Sequence, residues 1–276
     1  QPLHRPPAPP TNRSTDQPPL YIPRMESNVP TDPPELPSGP CCIVGRGRMG
    51  TALASALESA GVDVVGPLGR GETVEDAAIV LLCVPDREIQ AASALILPGP
   101  LVGHVSASAP LDLLAPHERF SMHPLLSVIG AGAPFAGAYC AIDASTATAL
   151  AAARALADRL GMRAIVIAAE QRALYHAAAS AASNFLITLE GAAERLGQIV
   201  GLERAALVPL VRASVENWAL QGARAALTGP IARGDLVTAA RQREAVADAA
   251  PDLIPLWDAL ADATRELARP PATDAA

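Results

Sequence analysis

Lysine is missing from this chain: all 21 basic residues are arginines. A catalytic amine, a Schiff base and a Walker-type phosphate loop are thereby excluded, since each needs a lysine side chain. Basic charge is also outweighed by 28 acidic residues, leaving a net charge of −7, which argues against a nucleic-acid-binding surface. Cysteine is sparse. Cys41, Cys42, Cys83 and Cys140 all fall in apolar runs and form no C-x-x-C pair, so neither a metal site nor a disulfide framework is expected. Free, buried thiols in a reducing cytoplasm are the expectation. No stretch joins a charged start, an apolar middle and a small-residue cleavage site, so no secretory leader is expected. There is no solenoid-type repeat.

What is present is enough apolar material, 50% of 276 residues, for two modest domains. Residues 1–40 are proline-rich, with four Pro-Pro pairs and almost no apolar periodicity, and read as a disordered tail. Residues 41–168 read as an α/β domain built on a parallel sheet, and residues 169–276 as an all-α domain that binds substrate and dimerises.

The stretch Cys41–Gly61 organises the first domain. A short apolar strand, Cys41–Val44, runs into Gly45-Arg46-Gly47-Arg48-Met49-Gly50, and a helix with Leu53, Leu57 and Ala60 on one face follows at once. This strand, G-x-G-x-x-G turn and helix form the dinucleotide-binding unit. Gly45 permits the tight turn, Gly47 lets the backbone approach a pyrophosphate, and Gly50 lets helix and strand pack closely. The helix N-terminus offers free N–H groups to an anion.

A second strand is expected over Val62–Val65, with Gly66–Gly71 as the turn after it. An NAD site usually places an acid at the end of this strand; Val65 and Gly66 stand there instead. Arg70 lies just beyond and Arg46 and Arg48 nearby, so the expected cofactor is NADP. Arg70 is equally readable as a solvated turn arginine. Ala77–Val84 is almost continuously apolar, as in a strand buried on both faces. It ends at Val84-Pro85-Asp86, which should line the cofactor cleft at the carboxyl ends of the strands; Asp86 is alternatively a helix N-cap. Further strands are expected over Leu101–Ser106, Phe120–Pro124, Tyr139–Ile142 and Arg163–Ile167, with a helix over Thr146–Leu160 stopped by Gly161. Ser106 is a candidate for holding substrate or the nicotinamide ribose. His123, at a strand end, is a candidate proton donor; His104 reads as core.

From Glu170 onward the pattern is helical: Glu170–Leu196, Glu203–Gln221, Leu236–Ala249 and Leu253–Arg269. The first is long and alanine-rich, but His176, Ser180, Ser183 and Asn184 within it argue against a membrane span. At 100° per residue these four share one arc. A polar stripe on a buried rod needs a polar neighbour or a ligand. Its functional reading makes His176 the proton donor and Asn184 a positioning amide, with Ser180 against the substrate; the alternative is a packed histidine satisfied by a carbonyl. In Leu227–Asp235, Arg233 can take a substrate carboxylate bidentately or simply pair with Asp235 in a turn.

These motifs together resemble the 6-phosphogluconate-dehydrogenase-like superfamily of oxidoreductases, in particular a branch joining a Rossmann-like NADP domain to a C-terminal helical domain of unknown function. The matching pieces are GRGRMG at Gly45–Gly50, CVPD at Cys83–Asp86, HVSA at His104–Ala107, MHPL at Met122–Leu125, GAPFAGAYCAID at Gly132–Asp143, LYHAAASAASN at Leu174–Asn184 and LTGPIARGD at Leu227–Asp235. The resemblance implies NADPH-dependent reduction of a ketone or imine, such as a 2-oxo acid or ketopantoate-like substrate, in an inter-domain cleft of a homodimer. Better-known relatives carry a lysine four residues before an asparagine on the long helix. Asn184 matches the asparagine, but Ser180 stands in the lysine's place, which puts His176 forward as the substitute. A second class of function, a non-catalytic NADP-binding redox sensor, would need the glycine loop and no proton donor.

Overall fold

The computed structural model describes residues 35–130 and 132–270. The expected tail lies outside the described residues up to position 34. Ahead of Cys41 the chain is already engaged: Leu36 packs on the core, and the Pro40 carbonyl accepts from the Ala78 and Ile79 amides.

The first part of the chain alternates strands and helices: β1 (Cys41–Val44), α1 (Arg48–Ser59), β2 (Val64–Leu68), β3 (Ile79–Leu82), the short α2 (Ile89–Ser93), β4 (Leu101–His104), β5 (Arg119–Pro124), β6 (Tyr139–Ala144), α3 (Ala147–Arg159) and β7 (Arg163–Val166). They build one sheet in the order β2-β1-β3-β4-β5-β6-β7. Neighbours run parallel except at β5·β6, so β6 and β7 point opposite to the other five. The fold is therefore the expected α/β unit followed by helices, with an antiparallel step near one edge.

Both faces of the sheet are covered, which is why the strands read as unbroken apolar runs. On one face Ile43, Leu81, Phe120, Met122 and Ile142 meet Leu53 and Leu57 of α1 and Ala149, Ala153 and Leu156 of α3. On the other, Cys42, Val80, Leu82 and Val102 meet Ile89 of α2 and Leu114. Alanine on the inner face of α3 lets helix and sheet approach closely. Thr146 caps that helix by accepting from the Ala149 amide, and Gly161 at φ 67 ends it. All four cysteines are buried and unpaired. Burial pushes the Cys41 and Cys140 thiols up to about 12 and keeps them protonated.

One expected boundary moves with consequences. The second strand was expected to end at Val65; β2 runs on through Gly66 and Pro67 to Leu68, with a register slip opposite β1 between Cys42 and Val44. A proline lacks the amide that a central strand needs, but β2 is the edge strand and has no outer neighbour to satisfy. The true strand end is therefore Leu68, and the residues that follow it are Gly69, Arg70 and Glu72.

The remainder is helical: α4 (Arg172–Ser180), α5 (Leu186–Ile199), α6 (Arg204–Gln221), α7 (Ala223–Ala226), α8 (Leu236–Ala249) and α9 (Ile254–Ala268). The single rod expected over Glu170–Leu196 is interrupted. A π turn, Ala181–Phe185, separates α4 from α5. Charged pairs tie the bundle: Arg195 grips Asp252 with two 3.0 Å bonds and Arg243 grips Asp258 with two of 2.7 Å. Among the described residues beyond 170, Val246, Ala250 and Ala261 are the hydrophobic side chains that reach full burial. No helix among the described residues is long and apolar enough to cross a membrane.

Candidate active site

A cleft of about 1050 Å³ opens over the carboxyl ends of β1 and β3. Its floor is Gly45–Gly47, one wall is the loop Leu68–Val74, and the other is Val84, Pro85, Glu88, the face of α2 with Ala91 and Ala92, and Leu95 just past that helix. The glycines make this floor. A Cβ on Gly45, at φ 118, would lie 2.4 Å from the Cys83 carbonyl oxygen, and one on Gly50 only 1.9 Å from that of Gly45. At Gly47 a Cβ would meet nothing within 4 Å, so that side is open to a ligand. Gly47 is also the N-cap of α1 and provides no side-chain acceptor. The first amides of α1, which follow directly on Gly47 at the cleft floor, thus lack a side-chain cap, with the helix dipole's positive end behind them.

Of the residues expected to hold a cofactor, Gly45, Arg46, Gly47, Arg70, Val84 and Pro85 line the cleft; Arg48, Met49, Gly50, Asp86 and Ser106 do not. Met49 packs against the core. Asp86 neither caps the next helix nor faces the cleft: its Oδ2 accepts from Ser106 Oγ at 2.8 Å and Ser108 Oγ at 3.0 Å. Ser106 Oγ in turn accepts from the Ser108 and Ala109 amides. These bonds knot the loops after β3 and β4 and leave the Ser106 hydroxyl fully engaged.

Beside this knot a polar row crosses the sheet. His104, Ser121 and Asp143 are register partners on β4, β5 and β6 and so point to one face. His104 is wholly buried; its Nδ1 accepts from the Ser106 amide at 3.2 Å, and its Nε2 finds no partner among the described residues. Burial, reinforced by the Arg172 charge, brings its pKa down to about 4. Arg172, at the start of α4, lies across the row. Its Nη1 donates to Ser121 Oγ at 2.8 Å and to Asp143 Oδ2 at 3.4 Å, and its Nε to the Ala107 carbonyl at 3.3 Å. A guanidinium this buried needs a counter-ion and several acceptors to persist, and the row supplies them.

One turn along α4, Tyr175 comes down on the same face over His123. Tyr175 Oη and His123 Nδ1 are 2.8 Å apart, with the rings edge-on at 88° and centroids separated by 5.6 Å. Burial, helped by the His176 and Arg172 charges, brings His123 down to about 4. Burial also pushes Tyr175 up to about 12, against the opposing pull of Arg172. At neutral pH this is a neutral imidazole beside a protonated phenol.

The helical stripe fares differently from this pair. His176 and Asn184 are exposed and Ser180 is half-buried in the single chain. A π turn follows Ser180, so the 100° projection that related His176 to Asn184 applies only as far as Ser180. Such turns recur at functional sites. Arg233 is exposed, and no hydrogen bond or ion pair joins it to this cluster; Asp235 caps α8 through Thr238. Arg172, Tyr175, Glu72 and Glu88 are the residues here that sequence reading passed over. The i, i+3 spacing of Arg172 and Tyr175 was the available signal. Among the described residues no group of three or more His, Cys, Asp or Glu side chains is placed to hold a metal ion.

Residues 138–264 match a protein family described as a domain of unknown function, DUF2520. The match begins at β6 and covers under half of the chain. No match is found among curated proteins. Among solved structures, the chain is similar to BF3122 from Bacteroides fragilis, described as a candidate NADP oxidoreductase, with TM-score 0.72, 21% identity, and 83% of this chain and 98% of that one covered. The protein TM1727 from Thermotoga maritima gives TM-score 0.72 at 22% identity, covering 83% of this chain and 99% of its own. A reductive aminase from Aspergillus terreus, in complex with NADPH and ethyl levulinate, gives TM-score 0.59 at 18% identity over 83% of this chain and 95% of its own. At these identities the likeness establishes the fold.

Proposed function

We propose that the chain is an NADP-dependent reductase of small carbonyl compounds or imines, of the 6-phosphogluconate-dehydrogenase-like kind. One observation carries the reading: a glycine-floored cleft flanked by two arginines opens over the carboxyl ends of β1 and β3, and a phenol–imidazole pair stands near the carboxyl end of β5, two strands along the same sheet. The residues fit a dinucleotide. Gly45–Gly47 and the first amides of α1 would hold the pyrophosphate, and Arg46 and Arg70 would hold a 2′-phosphate. The bound cofactor supplies the hydride. The similar reductive aminase, crystallised with NADPH, supports a reductase with this fold.

The chain's own residues account for the proton. Reduction of a carbonyl or imine builds negative charge on oxygen or nitrogen, which a positioned acid must quench. Tyr175 is that acid in our reading, with its hydroxyl oriented by His123 and its phenolate stabilised by the nearby Arg172 charge. His176 is close enough to bias His123 and stands as the second candidate, with Asn184, Ser180 and Arg233 as substrate contacts brought in on the helical side.

The helical part is best explained as half of a homodimer. α6 buries none of its residues, and Leu210, Trp218 and Leu220 on it are 66%, 57% and 73% exposed. Apolar exposure on that scale marks an interface. The deciding experiment is a spectroscopic screen of 2-oxo acids, ketones and cyclic imines for NADPH oxidation. Consumption that depends on the substrate supports the reductase. Tight NADPH binding with no turnover across the whole panel would instead favour a redox sensor.

A further inference from the structure

The two arginines that the cleft offers to an anion are already matched with carboxylates. Arg46 Nη2 donates to Glu72 Oε1 at 2.7 Å and Arg46 Nε to the Pro67 carbonyl at 3.0 Å. The Gly69 amide donates to the other Glu72 oxygen. Across the cleft, Arg70 meets Glu88 at 2.8 Å. Gly69 makes the first arrangement possible: a Cβ there would stand 2.9 Å from Arg46 Nη1, so the guanidinium lies against bare backbone. A fixed guanidinium and a backbone amide converging on two oxygens is the donor set that a phosphate group takes. Here a glutamate from the same loop fills it.

We propose that Glu72 is a built-in competitor for the 2′-phosphate of NADP, so that its carboxylate, rather than the arginines alone, sets the choice and the affinity of cofactor. The proposal rests on the reading of the cleft as a dinucleotide site. The Glu72 carboxyl is held below the usual carboxylate range by the Gly69 amide and by Arg46, so the competitor is ionised at physiological pH. A 2′-phosphate has up to twice its charge and three acceptor oxygens, and displaces it. The tethered carboxylate nevertheless has the advantage of high local concentration and lowers the net affinity. NADH brings no anion to this seat and leaves Glu72 in place.

The test is titration of NADPH and of NADH, separately, into the full chain and into Glu72→Gln and Arg46→Ala, at one fixed ionic strength. Glu72 is half-exposed on a loop, and a melting curve for each variant checks the fold. The expected result for Glu72→Gln is NADPH binding about fivefold tighter, the effect of removing one like charge about 4 Å away in water-like surroundings, with NADH little changed. Arg46→Ala should weaken NADPH and spare NADH. Unchanged or weaker NADPH binding by Glu72→Gln overturns the proposal while leaving the cleft a cofactor site. A selective loss of NADH by that variant overturns it too, and makes Glu72 the acceptor of a ribose hydroxyl. If parent and variants bind neither nucleotide, the dinucleotide reading falls and this proposal with it.

Discussion

The sheet region and the helical region are built to different standards of completeness. In the first, two faces of one sheet are closed by helices and loops, and side chains such as Phe120, Leu156 and Leu82 have no exposure at all. In the second, long helices leave Leu174, Phe185, Ile187, Leu210 and Trp218 facing outward while only a few small side chains are buried. In the homodimer proposed above, the partner would cover this bare half. Stability would then have two sources: internal packing in the sheet, and association in the helices. α4 joins the two, pinned to the sheet by Arg172 and Tyr175 and continuing through the π turn into the exposed half.

Mutations can break this comparison at its extremes. Phe120→Ala, in the closed core against Gly103, should cost about 3–5 kcal/mol in chemical denaturation. A loss below about 1 kcal/mol would mean that the sheet core is looser than its burial implies. At the joint, Arg172→Met leaves buried Ser121 and partly buried Asp143 without their cation and should cost about 3 kcal/mol, the low end for a broken buried pair because Asp143 keeps some contact with solvent. Adding Asp143→Asn to that variant should recover part of the loss, which a double-mutant cycle reads directly.

Titration sharpens the same contrast, because the buried histidines belong to the sheet. His104 and His123 are both held near 4 against an ordinary 6.5. The unfolded chain therefore takes up these protons before the folded one does. Stability is full above about pH 6.5, falls as the pH drops towards 4, and flattens below that, by a few kcal/mol in all. Urea melts across this range check the sign. The smallest change in fold stability should come from α6: in the dissociated chain Trp218→Asp should shift stability by only about 0.5 kcal/mol, while in light scattering it turns a dimer into a monomer. A parent chain that scatters as a monomer at micromolar concentration would remove the dimer from the account.

Much of the sheet region was legible because its signals are local. Ile79–Leu82 reads as a doubly buried strand from composition alone, and the Gly45–Gly50 turn from spacing. What escaped depended on neighbours distant in sequence. β2 continues through Gly66-Pro67 because it lies at the sheet edge, a fact of strand order that Val62–Leu68 does not carry. That shift exposed an acid, Glu72, near the strand end where its absence had favoured NADP. Arg172 reads as an ordinary charged residue opening a helix, and its burial depends on Ser121 and Asp143, which lie 51 and 29 positions away. Nothing in Ala-Ala-Ser-Asn-Phe announces a π turn, so the projection that joined His176 to Asn184 could not see it. Tyr175, one residue before the favoured His176, became visible only when β5 placed His123 beneath it.

The central claim is that α4 lends the sheet its acid: cofactor binding belongs to the cleft, and proton transfer to Tyr175 over His123. The direct test is turnover of Tyr175→Phe beside His176→Gln and the parent chain, on the substrate with the fastest NADPH oxidation in the screen, with NADPH affinity measured for each. The account predicts that Tyr175→Phe keeps its NADPH affinity and loses about 10²–10⁴ in rate, while His176→Gln loses far less. Tyr175→Phe turning over within about threefold of the parent would contradict it, since removing the acid should cost at least about a hundredfold.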